Sequence, residues 1–181
     1  MSALNPALPV SRAPNPTTKQ CLDALTSSQV EADRVRAAML LGQRADEEGL
    51  AEKAVPALVT AMENDKRSQV CLVSAQALGK YGEQAAEAVP TLMQWLNHVT
   101  MRNVAIDALG SIGTEAAPAI ESIAGVAADH QERMASRRKA IEALIKIGGP
   151  EHPFVAALWE AAWEDSDDHI NIAIRHALQP H

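Results

Sequence analysis

The sequence predicts an all-α chain, an α-solenoid of about four two-helix units with one flanking helix at each end. Three observations lead there. The composition is 47% hydrophobic but only 3% aromatic, so Ala and Leu carry the apolar content. Both favour helices, and small residues let helix axes approach. Second, AIDALGSIG at 105–113 recurs as AIEALIKIG at 140–148. Aligning on Leu109 brings in Leu41, Leu78, Leu144 and Leu178, at intervals of 37, 31, 35 and 34 residues. A period of that size marks stacked helical units rather than one globular core. Third, a proline follows each of the first four aligned leucines by 9 to 15 residues, in AVP at 54–56 and 88–90, AAP at 116–118 and EHP at 151–153.

The elements follow in chain order. Residues 1–15 contain Pro6, Pro9 and Pro14 and read as a flexible, extended arm, either a linker or a short recognition motif. From residue 16 to 181 the chain reads as one repeat domain. TTKQCLDALTSS at 17–28 is a lone helix covering the first unit. The units run roughly over 30–66, 67–98, 99–131 and 132–168. In each, a helix A is expected to end near the aligned Leu, with Gly42, Gly79, Gly110 and Gly148 at helix C-termini that favour positive φ. Helix B is expected to open at the proline, whose missing N–H has no partner in a first turn. Apolar residues at +2, +5 and +6 from Pro56, Pro90, Pro118 and Pro153 form one buried stripe. A terminal helix at 169–178 closes the array, with Asn171, Arg175 and His176 as a polar outer face.

DRVRAAMLLGQRADEEGLAEKAVPALVTAM, with its Val-Arg, Ala-Ala, Leu-Gly and Pro-x-Leu landmarks, resembles a HEAT repeat of the short bacterial kind also found in phycobilisome lyases. The resemblance runs from about residue 30 to 178. It implies a stacked helix-pair fold that serves chiefly as a binding platform. One landmark departs from the pattern: Val35-Arg36 becomes Leu72-Val73, Asn103-Val104 and Arg138-Lys139 in later units. No regular Asp–Arg ladder between units is therefore expected.

Charge and cysteine usage narrow the function classes. The net charge is −7 and the pI about 5.3, which opposes binding to a phosphate backbone without a local basic surface. Cys21 and Cys71 have no metal-ligand or redox spacing and read as buried and inert. MSALNPALPVSRAPNPTT lacks the basic start and apolar run of a secretory signal, and no stretch approaches the ~20 apolar residues that span a bilayer. A cytoplasmic protein without membrane contact is the expectation.

No catalytic constellation stands out. The six histidines, His98, His130, His152, His169, His176 and His181, include no HExxH, and His169 with His176 lacks a third ligand, so no metal is expected. EDSDDH at 164–169 reads as a helix cap, lacking the glycine and the ligand series of a calcium loop. ERMASRRKA at 132–140 supplies Arg133, Arg137 and Arg138, either a solvated helix face or an anion patch. The solvent side of the B helices is expected to carry Thr60, Glu63, Gln94, Asn97, Glu121, Ser122 and Glu160, polar to acidic and without a base. Trp163 is the candidate anchor there, the other reading being packing on the last helix through Ile170 or Ile174. These features point to a non-catalytic interaction scaffold with no cofactor, binding a protein or peptide of basic character through the B-helix groove. Two other classes follow from resemblance: a chromophore lyase or chaperone-lyase subunit, and, more remotely, a DNA glycosylase of the HEAT-like type, for which this groove lacks the basic residues.

Overall fold

The structure, a computed structural model, describes residues 15–66, 68–149 and 151–157. Among them every regular element is helical. They are α1 (Thr18–Ser27), α2 (Glu31–Gln43), α3 (Ala51–Asn64), α4 (Ser68–Lys80), α5 (Val89–Trp95), α6 (Arg102–Ile112), α7 (Ile120–Ala128) and α8 (Met134–Gly148). Short 3-10 segments, Gly82–Ala88 and Gly113–Ala119, lead into α5 and α7. Helices α2, α4, α6 and α8 pack successively as an A row. The elements α3, 82–95 and 113–128 form a B row beside it. Leu41, Leu78, Leu109 and Leu144, the residues used to align the repeat, are all buried at the centre of the A row.

Each element has a local cause. A capping box starts α1: Thr17 Oγ1 accepts from the Gln20 N–H at 3.2 Å, and the Thr17 N–H donates to Gln20 Oε1 at 2.8 Å. Glu31 and Asp33 lie in the first turn of α2, where the helix dipole favours acids. The B-row stripe is buried as expected at Leu58, Met62, Leu92, Leu96, Ile120, Ile123 and Val155.

Two sequence expectations are corrected. Gly42, Gly79, Gly110 and Gly148 do not take positive φ; they are helical, and the positive-φ glycines are Gly49, Gly82, Gly113 and Gly149. Gly113 and Gly149 are the actual C-caps of α6 and α8. The first three aligned glycines instead sit where neighbouring A helices touch. A Cβ on Gly42 would lie 2.9 Å from Ala77 Cα, one on Gly79 3.4 Å from Ala108 Cα, and one on Gly110 3.0 Å from Ala143 Cα. Pro56 and Pro118 do not open their helical segments either. Pro56 lies inside α3, which starts at Ala51, and Pro118 lies at the end of its 3-10 segment; Pro90 is in the first turn of α5. A 3-10 turn forms readily before a helix start, so the second and third B elements begin well before Pro90 and Pro118, while α3 is helical from Ala51. Helical residues 153–157 follow Pro153 as expected. The arm through residue 14, most of the expected fourth B helix, and the expected terminal helix with Leu178 lie outside the described residues.

The ends of the helices are tied across units. Position −7 from each aligned Leu is Arg34, Cys71, Arg102 or Arg137. Each donates to a backbone carbonyl at the C-terminal end of the preceding helix: Arg34 Nη1 to Ser28 O at 2.8 Å, Cys71 Sγ to Asp65 O at 3.3 Å, Arg102 Nε to Leu96 O at 2.7 Å, and Arg137 Nε to Ala127 O at 2.9 Å. The last carbonyls of a helix lack intrahelical donors and carry its negative dipole end, so a guanidinium there is doubly favourable. Arg34 also pairs with Asp65 at 2.5 Å, and Arg102 with Glu132. A ladder thus exists, but it is one residue earlier than the Val-Arg landmark and its acceptors are mainly backbone. Tyr81 performs the same service in the A row: its buried hydroxyl donates to Leu41 O at 2.8 Å. Burial, and then Glu47, push its pKa up to about 12.

Two outcomes follow from this packing. Gly42→Ala should destabilise the fold by about 1–3 kcal/mol, because backbone stands where the new methyl must go. Gly125→Ala, at an open helical position of α7, should stabilise by about 0.5–1 kcal/mol; urea unfolding midpoints read both. Tyr81 is the one tyrosine of the chain, so tyrosinate absorbance reports it alone. Below about pH 10 the folded and unfolded chains both hold the phenol proton, and its contribution to stability is complete. As pH rises from there through about 12, the unfolded chain ionises first and stability falls. Native protein should show no tyrosinate at pH 10.5, and Tyr81→Phe should flatten that alkaline loss.

Candidate interaction surface

The residues expected on the solvent side of the B elements are there. Thr60 and Glu63 on α3, Gln94 on α5, Asn97 just past it, and Glu121 and Ser122 on α7 are all exposed. Glu160 and Trp163 lie outside the described residues. One of these side chains is held in place: the Thr91 hydroxyl, buried at the start of α5, donates to Glu63 Oε1 at 2.6 Å and ties the two B elements together. A similar hydroxyl-to-carboxylate bond joins Thr114 to Glu83 at 3.4 Å, between the two 3-10 segments.

The charges of the two rows differ. The B elements expose Glu52, Glu63, Glu83, Glu87, Glu115 and Glu121 against the single base Lys53. The A row mixes signs and pairs some of them: Lys139 with Asp107, and Arg138 with Glu142 at 3.8 Å. Acid density therefore collects on the B side. Glu83, Glu87 and Glu115 belong to the 3-10 segments that precede Pro90 and Pro118. A reading that starts helix B at the proline assigns them to loops and misses them. The signal was present as acidic residues at near-constant distance before each proline.

Exposed large apolar side chains among the described residues lie mainly at helix starts, with Met39 inside α2 as the exception. Val30, Val99 and Met134 each stand at or just before the first turn of an A helix, and Val99 is 74% exposed. Phe154 is 44% exposed at the start of the fourth B element, its ring stacked on His152 with centroids 5.9 Å apart. It is the large aromatic on this side that sequence reasoning passed over in favour of Trp163.

The arginine cluster does not form a surface patch of three. Arg133 and Arg138 are exposed, but Arg137 is only 7% exposed and is committed to the α7 carbonyl. Residues at i, i+4 share a helix face, and here the ladder draws Arg137 inward. Cys21 and Cys71 are buried, free thiols. Burial raises both pKa values; Asp65 adds to the effect at Cys71, and Arg44 and Arg36 oppose it at Cys21. Both thiols are therefore poor nucleophiles near neutral pH. Among the described residues no group of three or more His, Cys, Asp or Glu could hold a metal ion, and no helix is long and apolar enough to cross a membrane.

Residues 18–100 match the family model described as HEAT repeats. No curated protein matches the chain. The contrast between neighbouring arginines gives a direct check on the geometry. Arg137→Met should cost about 1.5–3 kcal/mol by leaving a helix-end carbonyl without its charged donor, whereas Arg138→Ala should stay within about 0.5 kcal/mol of wild type, both read by chemical denaturation.

Proposed function

We propose that this chain, whose residues 18–100 match HEAT repeats, a family whose repeats generally mediate protein–protein interaction, is a non-catalytic scaffold whose B-row face binds a protein or peptide of basic character. The observation that carries this reading is the separation of charge: six exposed glutamates and one lysine on the B elements, beside an A row of mixed sign. Such a surface steers a cationic partner during encounter and repels phosphate backbones. The apolar residues beside it supply what charge alone does not, a dehydrated contact: Phe154 takes the anchor role within the described residues, and Trp163, later in the sequence, is the second candidate. The packed A row holds these side chains at fixed spacing, so little ordering is needed on binding. Thr60, Gln94, Asn97 and Ser122 add donors and acceptors between the carboxylates.

The test is capture from native lysate by wild type and by a Glu87→Lys, Glu115→Lys, Glu121→Lys variant of unchanged helicity. These three side chains are exposed and have no hydrogen bond or ion pair with another described residue, so reversal changes charge without cutting the fold. A partner recovered by wild type should fall about tenfold in the variant, and its recovery should also fall with salt. Equal recovery by both proteins, insensitive to salt, would remove the B row from the interface.

A further inference from the structure

In every interior unit the face of helix A that looks toward the array's N-terminal end is covered by the preceding A helix. Ala77 of α4 packs on Gly42, Ala108 of α6 on Gly79, and Ala143 of α8 on Gly110. The equivalent position of α2 is Leu40, and among the described residues no A helix precedes α2. The helix before it, α1, stands in the place of a B element: Arg34 binds its Ser28 carbonyl just as Arg102 binds the Leu96 carbonyl of α5. The position that a preceding A helix would fill is a cavity of about 610 Å³. Ala24, Ala37 and Leu40 supply apolar wall, Gln20, Asp33 and Arg36 its polar part, and Asn15 to Thr17 also line it.

We propose that residues 1–14 of the same chain occupy this cavity, laying Leu4, Leu8 and Val10 against Leu40 in place of a preceding A helix. The order of the repeat supports that occupant. Each unit runs A, turn, B, so the segment directly before a B-type helix is the one that falls to the A position. The chain at Asn15 and Pro16 already forms part of the cavity's lining, and Arg44 Nη2 fixes it there by donating to Pro16 O at 2.7 Å. Pro6, Pro9 and Pro14 oppose a continuous helix. An extended proline-rich segment advances about 3.1 Å per residue, so a handful of the fourteen residues is enough to cross the cavity. The polar side of the cavity fits the same occupant. Arg36 is the counterpart of Lys139, which pairs with Asp107 of the preceding A helix. Arg36 has no ion pair among the described residues, and residues 1–14 contain no acid. Backbone carbonyls of an extended segment offer it acceptors, as Pro16 does for Arg44.

Paramagnetic broadening in the full chain tests this. Cys21 is buried but lines the cavity, so the nitroxide is attached to a Leu8→Cys variant that also carries Cys21→Ala and Cys71→Ala. Amide signals of Gln20, Ala24, Ala37 and Leu40 should be broadened, while those of α6 and α8 stay sharp. A second substitution, Leu40→Arg, should restore the broadened α1 signals, with the distant helices serving as the check that the fold is intact. Uniformly weak broadening, or broadening centred on the B row, overturns the proposal. So does broadening that appears in a mixture of spin-labelled and isotope-labelled copies, because the occupant would then be a second molecule's arm.

Discussion

The contact between a glycine of one A helix and an alanine of the next is the constraint on which the array depends. Three successive interfaces use it, Gly42 on Ala77, Gly79 on Ala108 and Gly110 on Ala143. With side chains absent or minimal at the crossing, the backbones come close, and the larger residues on either side interdigitate instead of colliding. Leu41, Leu78 and Leu109 directly precede these glycines and are fully buried, so the same few residues set both the spacing of the helices and the centre of the core. A wider spacing would open voids around those leucines, and each void would cost stability.

The ladder at the helix ends complements that contact. The glycine–alanine crossings set how near neighbouring A helices lie, while Arg34, Arg102 and Arg137 fasten the start of each A helix to the end of the helix before it. The second unit departs from this, with Cys71 donating a weaker thiol bond to Asp65 O. Arg34 of the first unit pairs with the Asp65 carboxylate, which holds the end of α3 against α2 within that unit. Tyr81 adds a hydroxyl to the end of α2. Helix ends are where buried backbone is least satisfied, and Arg34, Arg102, Arg137 and Tyr81 are committed there.

That commitment shapes the surface. Several basic residues of the chain serve helix ends or pair within the A row, so they are not available to neutralise the glutamates of the B elements. The acidic B side follows from the internal demands of the stack as well as from the glutamates themselves. A face of that kind, backed by a rigid row of helices, presents charge without having to order it, which is the property a binding platform requires.

Composition and short periodicities sufficed for the helix type, the buried leucines and the exposed polar positions Thr60, Glu63, Gln94, Asn97, Glu121 and Ser122. Both are local properties of the chain. Tertiary structure decided which glycines turn and which permit a crossing, because the clash that excludes a Cβ at Gly42 comes from Ala77 in the next unit. It also decided that Arg137 points inward while Arg138 stays outside, since the acceptor for Arg137 is a carbonyl of the preceding helix. The 3-10 segments that bring Glu83, Glu87 and Glu115 onto the B elements were decided at the same level, by how those elements pack against the A row. Each of these outcomes depends on a neighbour in another helix, and the spacing of residues along one helix does not encode that neighbour.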